Sequence, residues 1–82
     1  MNNKTTLTLS SLGNGSFALV KEVVAEGLDR RRLLDLGLVP GTRVEVIRRS
    51  PVGDPIAFNI RGAVIALRKE VASMVLVAPG NK

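Results

Sequence analysis

The sequence predicts a mostly-β domain, a small barrel of about five short strands with one short helix and one further helical turn. Three observations carry that expectation. The apolar content is 45%, and apart from the aromatics Phe17 and Phe58 it is dominated by Val, Leu, Ile and Ala. This composition suits pleated, half-buried strands. Eight glycines and four prolines interrupt the chain at short intervals, so the elements between them are short. Ile56, Phe58 and Ile60 alternate with Ala57, Asn59 and Arg61, the period-two pattern of a strand with one face buried. The 82 residues make one domain. A chain of this size buries roughly 60% of its unfolded surface, which leaves little room for a deep substrate cleft. Short strands without long linkers favour closure into a barrel, which protects edges that a flat sheet exposes.

The elements follow in order. Residues 1–5 are polar and read as a loose N-terminus, 6–78 as the barrel and 79–82 as a tail. Leu9 and Leu12, at i and i+3, suit one helical turn packed on the domain. Gly13-Asn14-Gly15 is a turn. Ser16 to Val24 reads as a strand with Ala18, Val20 and Val23 inward, and the change of spacing from two to three implies a bulge or the strand's end. Asp29 is the expected N-cap of a helix whose apolar arc is Leu33, Leu34 and Leu36. Gly37 fits the left-handed position that ends helices, and Leu38 folds back over the arc. Pro40-Gly41 matches the centre of a type II turn.

Arg43 to Arg49 reads as a strand with Val44 and Val46 inward. A loop at Pro51-Val52-Gly53-Asp54-Pro55 leads to the Ile56–Ile60 alternation. Arg61-Gly62 is a tight turn into Val64–Leu67, expected as a strand buried on both faces. Arg68 to Ser73 reads as a helical turn and Met74 to Ala78 as the last strand. Leu33, Leu34, Leu36, Val44, Val46, Phe58, Ile60 and Val75 are assigned to the core.

Composition narrows the chemistry. Twelve lysines and arginines against seven acids give +5, which suits an acidic protein, a nucleic acid or an anionic membrane surface without selecting one. There is no cysteine and no histidine, the usual ligands of tight iron or zinc sites. The carboxylates are scattered along the chain, and no residue spacing suggests a nucleophile with its base. A non-enzyme without cofactor or metal ligand is expected. Gly13-Asn14-Gly15-Ser16-Phe17-Ala18 matches the dinucleotide fingerprint in letters, but it precedes a strand where that fingerprint must open a helix. Two phenylalanines are few for a single-strand-binding barrel that stacks bases on aromatic platforms. The first residues, MNNKTTLTLSSL, lack the apolar core of a signal peptide, and the longest apolar runs are five residues against the roughly 20 that span a bilayer. A cytoplasmic protein without membrane insertion is expected.

Arg30, Arg31 and Arg32 stand out. Placed in a first helical turn, they meet the positive end of the helix dipole, where each cation costs up to about 1 kcal/mol. Such violations of a local rule are expected where function intrudes. Arg31, Arg32 and Asp35 from the helix, with Arg48 and Arg49 beyond, are the expected partner-facing residues. Asp35 is placed to pair with Arg31 at i, i+4.

Taken together, Leu9-Ser10-Ser11-Leu12, the run RRRLLDLGLVPGT from Arg30 to Thr42, Val44-Glu45-Val46, the Gly53-Asp54-Pro55 loop, Asn59-Ile60-Arg61-Gly62 and Leu67-Arg68-Lys69-Glu70-Val71-Ala72 resemble the FeoA family of ferrous iron transport proteins. The resemblance implies an SH3-like β-barrel. It also implies a small accessory or adaptor of bacterial ferrous iron uptake that binds the cytoplasmic part of a FeoB-type membrane transporter, itself carrying a G-protein domain. A similar barrel is the C-terminal interaction module of iron-dependent repressors. The family label of transition metal ion binding finds no ligand set in these residues. A basic barrel that binds nucleic acid is the alternative from another class, although no nucleic-acid partner is expected.

Overall fold

The computed structural model describes residues 7–80. The expected loose segment over 1–5 and the final two tail residues lie outside the described residues. Six strands form one antiparallel sheet: β1 (Leu7–Thr8), β2 (Phe17–Val23), β3 (Arg43–Arg49), β4 (Ile56–Ile60), β5 (Ala63–Leu67) and β6 (Val75–Pro79). Their order across the sheet is β1-β6-β2-β3-β4-β5. A 3-10 turn (Leu9–Ser11), helix α1 (Gly27–Asp35) and the one-turn helix α2 (Lys69–Ala72) fill the connections. This is the expected SH3-like arrangement with one strand more. The extra strand is two-residue β1, whose Leu7 and Thr8 pair with Val77 and Leu76. Among the described residues the sheet does not close: β1 and β5 are its two free ends.

One cluster of buried side chains collects residues from all the longer strands. Ala18, Val20 and Val23 of β2, Val44 and Val46 of β3, and Ile56, Phe58 and Ile60 of β4 point inward, as their alternation predicts. Val75 and Val77 complete the floor, and Leu9, Leu12, Leu33 and Leu38 close the ends. The register of β2 against β6 shifts between Val20 and Glu22, the bulge implied by the change of spacing. A second shift, between Val46 and Arg48, turns Ile47 outward on β3.

The segment from Leu33 to Thr42 folds as its local chemistry dictates. The Leu38 N–H donates to Leu33 O at 3.2 Å and the Gly37 N–H to Leu34 O at 2.9 Å. This is a Schellman end, with Gly37 at φ 103° and Leu38 buried over Leu33. The Thr42 N–H then donates to Val39 O at 3.0 Å across Pro40-Gly41, with Gly41 at φ 93°, as a type II turn requires.

Four expectations are corrected. Helix α1 begins at Gly27, two residues before Asp29, with Glu26 as an N-cap that makes no side-chain bond. Its entry is set from β2, because Ala25 is buried and the chain is held at Val23. Leu34 and Leu36 are only partly buried and pack against the core from its margin, since the short helix presents a single fully buried residue, Leu33. β5 is not buried on both faces. It is an edge strand, with Val64 68% exposed and Ile65 and Leu67 turned inward. The last strand runs one residue further than expected, through Pro79, and the Gly80 N–H donates to Phe17 O at 3.1 Å.

Candidate functional site

The arginine run of α1 separates into three side chains with different surroundings. Arg30 Nη1 donates to Val23 O at 2.9 Å and so ties the helix to the end of β2. Its role is structural. At about 100° per residue, Arg31 and Asp35 share the outward face of α1 with Leu28, which is 82% exposed. Arg32 lies between that face and a groove whose walls include Asp29, Leu33 and Leu36.

Because the helix starts at Gly27, the three arginines occupy its fourth to sixth positions rather than its first turn. The acid in the first turn is Asp29, and Arg32 belongs to the last turn; both placements suit the helix dipole. The electrostatic misplacement inferred from sequence is therefore absent, and its cause was the early helix start. Arg31 and Asp35, expected to pair, lie one turn apart on the exposed face of the helix. Both side chains remain available to solvent.

Arg48 and Arg49 are not interchangeable. Arg49 is half-buried, and its Nη2 donates to Ser10 O and Leu12 O, both at 2.8 Å. Its backbone N–H donates to Asn14 Oδ1 at 3.2 Å. The side chain thus holds the 3-10 turn against β3 while the backbone N–H holds the glycine turn, and both Nη2 protons are occupied by the fold. Arg48, one position earlier and opposite Ala57, is exposed. The five candidates therefore do not make one patch: Arg31, Arg32 and Asp35 belong to α1, Arg48 stands on β3, and Arg49 braces the interior.

Leu28 is the residue that sequence reasoning passed over. A large apolar side chain opposite the buried arc of a helix is the available signal, but it becomes visible only once the helix is known to begin before it. The aromatics are accounted for by packing. Phe58 is buried. Phe17 is half-buried, with the Arg43 guanidinium carbon 4.1 Å from its ring centre and Gly80 against its edge.

The Gly53-Asp54-Pro55 loop has a structural task. Asp54 Oδ1 accepts from the Lys69 N–H at 2.7 Å, which satisfies a free donor at the start of α2. Among the described residues no three His, Cys, Asp or Glu side chains come together as a metal site requires. The residues therefore do not fit a resident metal. No described helix is long and apolar enough to cross a membrane.

Comparisons with known proteins agree with this architecture. A family model described as the FeoA domain matches residues 7–79. The Fe(2+) transport protein A/Fe(2+) transporter FeoB fusion protein of Porphyromonas gingivalis is 32% identical over 71 residues, which cover 87% of this chain and 8% of the fusion protein. The chain thus spans a small part of that relative's length. The solution structure of the FeoA protein from Chlorobium tepidum superposes with a TM-score of 0.83 at 42% identity, covering 89% of this chain and 70% of that one. The crystal structure of Stenotrophomonas maltophilia FeoA, described as a zinc complex of an SH3 domain protein, gives 0.78 at 35% identity, with 87% and 88% covered. The family match takes in every strand and helix of the sheet and its connections, and on that ground the chain belongs to the FeoA domain family.

Proposed function

We propose that this chain is a small, cytoplasmic, non-enzymatic accessory of bacterial ferrous iron uptake, which docks on the cytoplasmic part of a FeoB-type transporter and modulates it. One observation carries the reading: in the Porphyromonas gingivalis relative, a segment similar to 87% of this chain is fused to the transporter. A tether of that kind holds two modules at an effective concentration in the millimolar range, an advantage only where they engage each other.

The surface we assign to the contact is the outer face of α1, with Leu28 as its apolar centre and Arg31, Arg32 and Asp35 around it; Arg48 is a second exposed cation on β3. An exposed aliphatic residue ringed by charged side chains resembles the centre and rim of a protein interface. The nucleic-acid alternative is disfavoured by the aromatics. Neither ring is open as a stacking platform, because Phe58 is interior and Phe17 is covered by Arg43 and Gly80.

The test is co-purification of the native chain with the full-length transporter in detergent. Retention supports the reading, and no retention at micromolar protein rejects it. Addition of the chain to the transporter while GTP hydrolysis is followed then separates a modulator from a passive subunit.

A further inference from the structure

β5 ends the sheet, and nothing among the described residues finishes its outer edge. The two-residue turn at Arg61-Gly62 sets the register, so that Ala63, Ile65 and Leu67 exchange hydrogen bonds with Ile60, Phe58 and Ile56. The N–H and C=O groups of Val64 and Ala66 therefore point away from β4. No turn, loop or side-chain group among the described residues bonds to them.

Native edge strands are ordinarily blunted by charge, proline or a bulge. Ala63-Val64-Ile65-Ala66-Leu67 has none of these, and Val64 is 68% exposed. Beside this edge runs a groove of about 360 Å³ between β5, α1 and α2, floored by Leu33, Leu36, Ile65, Leu67 and Val71.

Cations mark both ends of the edge, with Asp54 and Glu70 beside those at the far end. Arg61 stands at one end of β5, and Arg68 and Lys69 at the other, all three exposed. Arg32 and Arg68 flank the groove, which has one carboxylate, Asp29. We propose that the β5 edge is a docking site for an extended segment of another protein, aliphatic in the middle and acidic at both ends, which adds to the sheet as a further strand. Backbone groups of Val64 and Ala66 give it hydrogen bonds, the groove takes its alternate side chains, and the terminal cations select its acids.

A second copy of this chain fits worse. Full antiparallel overlap of two β5 strands, centred on Ile65, sets Arg61 opposite Lys69 at both ends. Like charges directly opposite one another are destabilising. The inference does not depend on the transporter being the partner, and its test does not use the transporter.

The probe is an acetylated octapeptide, Glu-Glu-Val-Ile-Val-Ile-Asp-Asp, added to the ¹⁵N-labelled protein. Amide exchange at Val64 and Ala66 is expected to slow at least tenfold, while the core amides of β3 stay unchanged. Replacement of the peptide's four acids by lysine is expected to weaken binding at least tenfold. Ala66→Pro removes an outward N–H without removing a bond to β4 and is expected to weaken binding to a similar degree. Val64→Lys, which charges the edge without changing the backbone, serves if the proline variant does not fold.

Unchanged exchange at both amides with millimolar peptide overturns the proposal, as does equal affinity for the lysine peptide. A native protein that sediments as a dimer and becomes monomeric on Val64→Lys also overturns it, in favour of a second copy as the occupant.

Discussion

The side chain of Arg61 lies across Gly37: a Cβ at position 37 would stand 2.5 Å from Arg61 Cδ. One contact thereby joins the left-handed end of α1, at φ 103°, to the β4–β5 turn, where Arg61 itself holds φ 55°. The helix end and the hairpin are thus fitted to each other, and this sets where α1 sits alongside β5.

Gly37→Ala is expected to destabilise the protein by about 1–2 kcal/mol from the left-handed backbone alone, with a further loss from displacing Arg61. Urea denaturation of Gly37→Ala, Arg61→Ala and the double variant checks this. The contact predicts that the double variant is more stable than the sum of the single losses allows. Strict additivity would mean that Arg61 moves aside at no cost.

Arg49→Ala is expected to cost about 1.5–3 kcal/mol, because charge-assisted bonds to the carbonyls of Ser10 and Leu12 are lost together. In a domain of this size each kcal/mol lowers Tm by about 4–8 °C. Thermal unfolding followed by circular dichroism reads the shift. An unchanged Tm would show that water replaces the guanidinium without loss.

Asp54→Ala removes the acceptor of the Lys69 N–H, and a loss of about 0.5–2 kcal/mol is expected, as for other helix-start acceptors. Asp54→Asn, which keeps a side-chain oxygen, is expected to recover most of it. Because α2 is one turn long, the change should appear first as faster amide exchange over Lys69–Ala72.

The double variant Arg31→Ala/Arg32→Ala is expected to change stability by about 1 kcal/mol at most, since exposed charges away from caps and networks each change it by about 0.5 kcal/mol or less. The same variant, and Leu28→Ser separately, are expected to weaken co-purification with the transporter at least tenfold. Binding that survives both moves the contact off α1, while Arg49→Ala controls for losses that come only from stability.

Phe58→Ala empties the centre of the core and is expected to cost about 3–5 kcal/mol. For a domain of this size that approaches the whole stability, so loss of cooperative unfolding in urea is the expected result.

What could be read without coordinates was local. The helix end at Gly37, the turn at Pro40-Gly41, the bulge in β2 and the inward faces of β3 and β4 rest on contacts between residues close in sequence or on a period of two along one strand. Such features depend on steric limits of φ and on side-chain direction, which each residue carries with it. The N-terminus of α1 was misread because an aspartate is a good N-cap in isolation, whereas the true start is governed by Ala25 and Val23 packing at the end of β2.

Three matters were decided only when distant parts of the chain met. Arg49 reaches carbonyls 37 and 39 residues away, so nothing in its neighbourhood marks it as a brace rather than a surface charge. Arg30 was likewise indistinguishable from Arg31 until the helix lay beside β2. The apolar run of β5 looked like an interior strand, because hydrophobicity reports a tendency to be covered and not what does the covering. Sequence alone determined the class of fold, the family resemblance and most of the core. Tertiary structure decided which arginines hold the molecule together, which are left to solvent, and that the sheet ends in an open strand, because burial and backbone pairing belong to the order of the strands and not to any one of them.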